Sequence, residues 1–299
     1  MSILVVGSVA IDSVRTPCGE RKEALGGSAT YFSMSASFFD KVDIVATVGT
    51  DFPKRYIARF RKKGIGIDGL KVARGSTFRW KGWYGRDLST AHTAYTHLNV
   101  FKDFSPEVPP HLKNPRYVFL ANIDPDLQIK VLKQVSRPEL IACDSMNYWI
   151  ATKRDSLVRL LKRVDIFLLN EAEARQLTGE DNLLSASRAV LSLGPKAVII
   201  KKGENGVAYF SRSEHFAAPA YLLDTVRDPT GAGDTFAGGF MGYLGKSRRV
   251  GGAAIRRAIV CGTVMASFAV EDFSVGRLLA ISANDIERRI KRFRDMTSF

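Results

Sequence analysis

The sequence predicts a three-layer α/β fold, in which a doubly wound, mostly parallel sheet lies between two layers of helices. Two observations lead to this class. Short, nearly continuous runs of Val, Ile and Leu are bounded by turn residues, as expected for strands that are covered on both faces. Between these runs, apolar residues recur with the 3.6-residue period of amphipathic helices. Strand and helix therefore alternate through most of the chain.

Both kinds of element can be placed along the chain. Strands of the main sheet are predicted at residues 3–6, 42–48, 117–121, 140–143, 166–169 and 197–200. The clearest helical stripes are Leu157, Leu160, Leu161 and Val164, and Leu183, Ala186, Val190 and Leu193. The chain is mostly helical after Gly231, with helices predicted over residues 232–244, 252–270 and 283–293. The last of these helices is rich in Arg and Lys, which is typical of a solvated helix face.

One segment, residues 77–100, interrupts the alternation of strand and helix. Two runs with a period of two residues flank a polar turn at residues 85–87, which predicts a β-hairpin. Phe78 and Trp80 share one face of this hairpin, and the basic residues beside them share the other. We expect the hairpin to form a small lid together with residues 13–25. The alternative is an edge hairpin that only packs on the body of the protein.

The composition is that of an ordinary globular protein, with 299 residues, 45% hydrophobic and 25% charged. We expect residues 1–299 to form a single domain. The three cysteines lie far apart and indicate neither a disulfide framework nor a zinc site. No uncharged apolar run of about 18 residues and no signal peptide is found, so we expect a cytoplasmic protein. The net charge of +14 favours anionic partners such as nucleotides.

The most informative segment is residues 228–240, which read D-P-T-G-A-G-D-T-F-A-G-G-F. Pro229 favours a turn, Gly231 and Gly233 permit a tight backbone path, and a helix is predicted to follow at once. A helix N-terminus has unpaired N–H groups and a positive dipole end, which together bind anions such as phosphate. Asp234 at this terminus can accept a proton from a substrate hydroxyl beside a transferring phosphoryl group. The pattern alone leaves open the alternative that Asp234 only caps the helix.

Two other nucleotide-binding motifs are absent from the sequence. Residues 245–247 read Gly-Lys-Ser, but a Walker A loop needs a glycine five residues before this glycine, where the chain has Phe240. The first strand leads into residues 7–12, which lack the second and third glycines of the dinucleotide fingerprint. The sequence therefore predicts neither a P-loop enzyme nor a Rossmann dehydrogenase.

Residues 228–240 closely resemble the C-terminal signature of the ribokinase-like family, also called the PfkB carbohydrate kinases. Further matching segments follow in the family's order: a strand leading to Asp12, Gly26-Gly27, a hairpin near one third of the length, Asn170-Glu171-Ala172-Glu173, and Lys202-Gly203-Glu204-Asn205-Gly206. The resemblance covers nearly the whole chain. It implies a ribokinase-like fold with a β-lid and a kinase that uses ATP and Mg²⁺. Because family lids often pair between subunits, it also implies a homodimer.

The resemblance implies roles for individual residues. Asp234 matches the catalytic base, and the amides of Gly231, Ala232 and Gly233 match the anion hole. The candidates for substrate binding are Asp12, which we place at the end of the first strand, Gly26, Gly27, Tyr31 and Asn122. The candidates for nucleotide binding are Asn170, Lys202, Gly203, Gly206 and Gly262. The candidates for metal binding are Glu173 for Mg²⁺, and Asp228 and Thr230 for a monovalent cation such as K⁺.

Several of these assignments have a plainer alternative. Asp12 is also explained as a turn residue after the first strand. Asn170 is also explained as a helix N-cap, and Glu173 as an acidic residue favoured in the first helical turn. Asp144 and Asn147 lie near a D-x-N element of the relatives but with one residue extra, so their role stays open.

Two departures from the family pattern concern the ligands. Tyr31 stands where the family has an asparagine that often touches substrate, so standard ribose recognition is not implied. In the helix near the nucleotide, Gly262 or Thr263 replaces a common asparagine, so adenine contacts are not assigned. The four histidines have no zinc spacing and are interpreted as surface or structural residues.

We therefore expect a kinase that transfers the γ-phosphate of ATP to a hydroxyl of a sugar or related polyol under the lid. A nucleoside acceptor is the alternative within kinases. The aromatic residues that offer a stacking surface for its base are Phe78, Trp80, Trp83 and Tyr95. An alternative outside the enzymes is a basic nucleotide- or nucleic-acid-binding protein without catalytic activity. The intact segment 231–234 argues against this alternative. Neither a specific nucleic acid nor a membrane is expected as a partner.

Overall fold

The structure is a computed structural model and describes residues 3–298. Its strands are β1 (Ile3–Val6), β2 (Ala10–Thr16), β3 (Gly19–Gly26), β4 (Val42–Gly49), β5 (Gly66–Ala73), β6 (Arg79–Tyr84), β7 (Ala91–His97), β8 (Tyr117–Leu120), β9 (Leu140–Asp144), β10 (Ile166–Asn170), β11 (Ala197–Lys201), β12 (Val207–Ser211) and β13 (His215–Ala218). Its α-helices are α1 (Ser28–Ala36), α2 (Lys54–Lys62), α3 (Pro125–Leu132), α4 (Asn147–Thr152), α5 (Arg154–Leu161), α6 (Glu171–Thr178), α7 (Leu183–Ser192), α8 (Ala232–Ser247), α9 (Gly252–Ala269), α10 (Gly276–Ala280) and α11 (Ala283–Thr297).

The larger sheet has nine strands in the order β13-β12-β11-β10-β9-β8-β1-β4-β5. The strands from β11 to β5 in this order pair in parallel, and β12 and β13 add an antiparallel edge. The prediction of a doubly wound, mostly parallel sheet is confirmed. The strand order changes direction at β1, and in such sheets the crevice for ligands lies at the carboxyl ends of the strands beside this point.

Both faces of this sheet are buried. In β1, Ile3 and Val5 join an apolar core that includes side chains of α1, α8 and α9. Leu4 and Val6, on the opposite face, join a second core with side chains of α3, α5 and α7. This two-sided burial explains why the strands read as uninterrupted apolar runs.

The smaller sheet has four strands in the order β3-β2-β6-β7. The hairpin predicted in residues 77–100 is confirmed, since β6 and β7 pair antiparallel across the turn. The prediction that Asp12 ends the first strand is wrong, because β1 ends at Val6 and Asp12 lies within β2. Pairing with β3 and β6 carries residues 10–16 away from the main sheet, and Asp12 faces Trp80 in the β2–β6 register.

The C-terminal part is helical, as predicted, with α10 as an additional short helix. Within residues 3–298, only α9 is long and apolar enough to cross a membrane by length and composition. It carries Arg256 and Arg257, and most of it is buried, largely against α8.

Candidate active site

Polar residues gather where three adjacent parallel strands end. Asp144, Asn170 and Lys201 are the last residues of β9, β10 and β11. Asn170 is directly opposite Lys201 in the β10–β11 register, and Asp144 is opposite Leu168 in the β9–β10 register. The carboxyl edge of the sheet therefore brings together residues that are far apart in the chain.

The N-terminus of α8 faces this edge. The helix begins at Ala232, as predicted, and Gly231 before it has a left-handed backbone with φ of 75°. A Cβ atom at Gly231 would lie 2.4 Å from the ring of Tyr31, so both the backbone conformation and the space require glycine. Asp228 stabilises the preceding turn, since one of its carboxylate oxygens accepts a hydrogen bond from the N–H of Thr230 at 2.9 Å. The N–H of Ala232 donates to Pro229 O at 3.2 Å.

Asp234 lies in the first turn of α8 and is half-buried. Burial raises its pKa to about 7, to which the carboxylates of Asp144 and Glu173 contribute, whereas Lys201 lowers it. In residues 3–298 no Lys, Arg or His nitrogen lies within 4.0 Å of its carboxylate oxygens. A carboxylate with a pKa near neutral pH and no ion pair is suited to accept a proton.

Asp12 lies on one side of Asp234. It is 6% exposed, and burial raises its pKa to about 7 despite a hydrogen bond from the N–H of Gly27. The charges of Asp228 and Asp234 raise it further, which shows that these carboxylates share one region of the structure. Gly26 leaves room for the Asp12 carboxylate, since a Cβ there would lie 1.8 Å from one of its oxygens.

Two tyrosines complete this side of the site. The ring of Tyr31 is buried beneath Gly231, and burial raises its pKa well above the usual value, with contributions from Asp228, Asp12, Tyr84 and Asp234. Tyr84 comes from β6 of the smaller sheet, and its hydroxyl lies 3.3 Å from Thr230 Oγ1. The smaller sheet therefore contacts the turn that precedes α8.

Lys201 lies on the other side of Asp234. Its Nζ is 2.8 Å from Asp144 Oδ2, and the two side chains are 18% and 6% exposed. Burial lowers the pKa of Lys201, but the carboxylates of Asp144, Glu173 and Asp234 offset this effect and leave the pKa raised. A Cβ at Gly233 would be 3.0 Å from the ammonium nitrogen. The cation therefore lies directly against the first turn of α8.

Asn170 and Glu173 form a capping box at the start of α6. Asn170 Oδ1 accepts the N–H of Glu173 at 2.8 Å, and Glu173 Oε2 accepts the N–H of Asn170 at 2.7 Å. The capping alternative for both residues is therefore correct as a structural role, and it does not exclude a second one. Burial and the Asp144 charge raise the pKa of Glu173 to about 7.

The candidates for metal binding do not form a protein cage. Among residues 3–298, no three His, Cys, Asp or Glu side chains come together as a metal site. Mg²⁺ is commonly held by one or two carboxylates, nucleotide phosphates and water, and Glu173 near the first turn of α8 fits such an arrangement. Asp228 is already engaged by the N–H groups of Thr230 and Ser274, at 2.9 and 3.3 Å.

Three of the predicted nucleotide-binding residues form the turn between β11 and β12. The N–H of Lys202 donates to Gly206 O at 2.8 Å. Gly203 and Gly206 both have positive φ, of 58° and 86°. A Cβ at Gly206 would lie 2.2 Å from Ala218 O, so this glycine is required by close backbone packing. The turn follows Lys201 directly and is therefore adjacent to the site.

Two other candidates have a clear structural role. Gly262 is buried in α9 against α8, and a Cβ there would be 2.8 Å from Phe236 O. Close helix packing accounts for this glycine, and its contact with nucleotide stays a prediction. Asn122 follows β8 at the carboxyl edge, and its Oδ1 accepts a hydrogen bond from Trp149 Nε1 at 3.0 Å.

The aromatic residues of the hairpin divide between its two faces. Trp80 pairs with Asp12 in register and shares the inner face with Tyr84. Trp83 and Tyr95 are on the outer face, are 39% and 38% exposed, and stack on His92 and His97. Phe78 stacks on Phe101. Of the three rings within β6 and β7 that were considered for base stacking, only Trp80 is on the face that carries Asp12.

Sequence reasoning missed Lys201 and Tyr84. Lys201 continues an apolar strand and stands next to Lys202, which matched the family motif instead. A charged residue directly after a buried strand is a usable signal, because ligands of parallel sheets bind at that end. Tyr84 carried no comparable signal, since its contact with Thr230 spans 146 positions of the chain.

This arrangement of an α/β sheet, a glycine-rich helix start and a nearby carboxylate without an ion pair is suited to phosphoryl transfer. Residues 2–280 match the model of the pfkB family carbohydrate kinases. The cytidine kinase of Thermococcus kodakarensis is 30% identical over 253 residues, which cover 83% of this chain and 90% of that protein. The chain therefore belongs to the pfkB family and is a phosphotransferase with an alcohol group as acceptor, which disfavours the non-catalytic alternative.

Solved structures confirm the ribokinase-like fold. The nucleoside kinase of Burkholderia thailandensis in complex with inosine has a TM-score of 0.81 at 18% identity, covering 100% of this chain and 99% of that one. A putative ribokinase II from E. coli in complex with ATP and Mg²⁺ has a TM-score of 0.79 at 21% identity, covering 97% and 99%.

Proposed function

We propose that the protein transfers the γ-phosphate of ATP to a sugar hydroxyl of a nucleoside. The observation that carries this proposal is the position of Asp234 between two groups of residues. Asp12, Tyr31 and Tyr84 lie on the side of the smaller sheet, and Lys201 and Glu173 lie at the end of the parallel strands. The first group suits an uncharged acceptor with hydroxyls and a ring, and the second suits a polyphosphate.

The chemistry follows from this geometry. Asp12 accepts hydrogen bonds from acceptor hydroxyls and orients one of them toward the phosphate. Asp234 takes the proton of this hydroxyl as its oxygen bonds to the γ-phosphorus, and the bond to the bridging oxygen of ADP breaks. The amides of Gly231 and Gly233 stabilise the charge on the transferring group, whereas the N–H of Ala232 already donates to Pro229 O. Mg²⁺, held in part through Glu173, would neutralise phosphate charge.

The nucleoside acceptor is preferred over a free sugar for two reasons. The relative with 30% identity is named a cytidine kinase, and the Burkholderia neighbour is described with inosine. In this chain, Tyr31 replaces the family's usual asparagine, and the inner face of the smaller sheet carries Trp80 and Tyr84 beside Asp12. Aromatic rings beside a hydroxyl-binding carboxylate suit a base attached to a ribose.

An acceptor screen tests this function. The purified protein is incubated with ATP and Mg²⁺ and with cytidine, uridine, adenosine, inosine, ribose, fructose or inositol, and products are identified by mass spectrometry. We expect a nucleoside monophosphate and ADP in equal amounts. Phosphorylation of free sugars alone would instead support the sugar kinase predicted from the sequence. Release of ADP with no phosphorylated acceptor in any reaction would contradict both.

We also propose a homodimer through the smaller sheet, whose outer face exposes Trp83 and Tyr95. Light scattering of the purified protein tests this assembly. We expect a mass of twice the 33.0 kDa chain and a monomer for Trp83→Arg. A monomeric parent protein would contradict it. A cytoplasmic location and a monovalent cation beside Asp228 and Thr230 stay predictions.

A further inference from the structure

Lys201 lies on the side of the site proposed for the polyphosphate, but the transfer step described above assigns it no role. We propose that its ammonium group binds the γ-phosphoryl group of ATP during transfer, and that Asp144 holds it in position before the nucleotide arrives. This inference rests on the proposed kinase function. It makes Lys201 a catalytic residue and Asp144 a positioning residue.

The position of the ammonium group is the first argument. Lys201 Nζ is 3.0 Å from the point where a Cβ of Gly233 would be, and Gly233 belongs to the turn whose amides bind the phosphate. Asp234 is close enough for its charge to raise the pKa of Lys201. A phosphoryl group that bonds to the acceptor beside Asp234 and is held by these amides therefore lies within reach of this lysine.

The balance of charge is the second argument. The carboxylates of Asp144, Glu173 and Asp234 all act on Lys201, so three acidic side chains gather around this one ammonium group. A nucleotide triphosphate adds several negative charges to this region. Backbone amides and a helix terminus supply partial charges only, whereas lysine supplies a full positive charge on a flexible stem.

The way Asp144 is held supports its positioning role. One carboxylate oxygen accepts the N–H of Ser145 at 2.8 Å, and the other binds Lys201. The backbone carbonyl of Asp144 accepts Gln128 Nε2 at 3.1 Å, and the same amide group donates to the carbonyl oxygens of Leu120 and Ala121. Asp144 is thus held through both its carboxylate and its backbone carbonyl, which fixes the position of the oxygen that binds Lys201.

A purely structural ion pair is the alternative. Buried ion pairs contribute little to stability compared with apolar residues of similar size, although removal of one partner alone is strongly destabilising. The two roles therefore differ in a double variant. Lys201→Met leaves Asp144 as an unpaired buried charge, whereas Lys201→Met combined with Asp144→Asn removes both charges.

The experiment compares nucleotide binding, thermal stability and turnover in these two variants. Calorimetric titrations with ADP and with a non-hydrolysable ATP analogue, both with Mg²⁺, need no acceptor. We expect both variants to bind the analogue about tenfold more weakly and ADP within about twofold of the parent, because only the analogue carries a γ-phosphate. Turnover should fall by about 10²–10³-fold.

Thermal unfolding should separate the two variants, with the double variant recovering most of the stability lost in Lys201→Met. Its turnover should stay low. Lys196→Met is the matched control, because Lys196 precedes the same strand at its opposite end and pairs with Asp165 at 2.7 Å. We expect this control to bind both nucleotides like the parent.

Recovery of turnover in the double variant would overturn the proposal, and so would equal weakening of ADP and analogue. These results are distinct from a failure of the proposed function. A parent protein that binds the analogue but phosphorylates no nucleoside would contradict the nucleoside acceptor, whereas the two titrations would still test the contact of Lys201 with the γ-phosphate.

Discussion

The hydroxyl of Tyr84 lies 3.3 Å from Thr230 Oγ1 and joins the smaller sheet to the turn before α8. Tyr84 belongs to β6, and Thr230 immediately precedes Gly231 at the turn that we propose to bind phosphate. The smaller sheet, which carries Asp12, therefore contacts this turn directly.

Tyr84→Phe removes this contact and retains the ring. We expect a several-fold higher KM for the acceptor, a smaller change in kcat, and a loss of about 1 kcal/mol in the free energy of unfolding. Steady-state kinetics and urea unfolding measure these quantities. Tyr221→Phe, whose ring stacks on Phe293 in the C-terminal region, is the control. Equal KM values for Tyr84→Phe and the parent would show that the hydroxyl does not act on the acceptor pocket.

Asp234→Asn tests the proton acceptor. We expect turnover to fall by about 10²–10⁴-fold with unchanged binding of ADP, because the amide keeps the shape of the side chain but cannot take a proton. Asp181→Asn, at an exposed position between α6 and α7, serves as the control. Turnover of Asp234→Asn near that of the parent would exclude this residue as the base.

The pH dependence of turnover follows from the same residue. The pKa of Asp234 is raised to about 7, and the base acts only when it is deprotonated. Turnover should therefore fall about tenfold per pH unit below about pH 7 and reach a plateau above about pH 8. Because the charge of Asp234 also raises the pKa of Asp12, the apparent value belongs to both carboxylates. A profile that is flat between about pH 5 and about pH 8 would contradict a base of this pKa.

Asp12→Asn should stabilise the fold at high pH at the expense of acceptor binding. The pKa of Asp12 is raised from 3.8 to about 7, so the folded protein binds its proton more tightly than the unfolded chain does. Stability from this group is therefore present below pH 3.8 and lost as the pH rises through 7. We expect a higher Tm for Asp12→Asn than for the parent at about pH 8 and equal values near pH 4. The opposite order would indicate that Asp12 is stabilised as an anion.

Gly231→Ala should lower both stability and turnover. The φ of 75° costs about 1–2 kcal/mol for alanine, and the added methyl group also collides with the ring of Tyr31. Gly179→Ala is a matched control, since Gly179 has the same φ of 75° but no atom within 4 Å of the added Cβ. We expect a clearly larger loss of Tm for Gly231→Ala. Equal losses in the two variants would show that Tyr31 does not pack closely beneath Gly231.

The central strands of the main sheet could be predicted from the sequence, because strands that are buried on both faces consist of nearly continuous apolar residues. The run predicted at 42–48 differs by one residue from β4, and the helix predicted to follow Gly231 begins at Ala232. β5, β12 and β13 were not predicted, and the sequence of β5, GIDGLKVA, is half exposed and lacks a continuous apolar run. Elements at the edge of a sheet carry a weaker pattern than those at its centre.

Residues of the candidate site could be predicted from the sequence only where they belong to a local motif. The turn before Asp234 and the cap formed by Asn170 are local in sequence. The pairing of Lys201 with Asp144 spans 57 positions, and no periodic pattern predicts it. Gly262 has a structural role that its match to the family did not indicate, since it provides space between α8 and α9, and its contact with nucleotide stays a prediction.

The order of these residues along the chain has a consequence for how such enzymes diversify. Asp12, Tyr31 and Tyr84, which we propose to bind the acceptor, come from the first third of the protein, whereas the groups proposed to bind the phosphate come from residues 144–234. Exchange of the early segment between relatives would then alter which alcohol is recognised while the donor machinery is inherited intact. Recombination within a family can thus create new kinases without rebuilding the reaction.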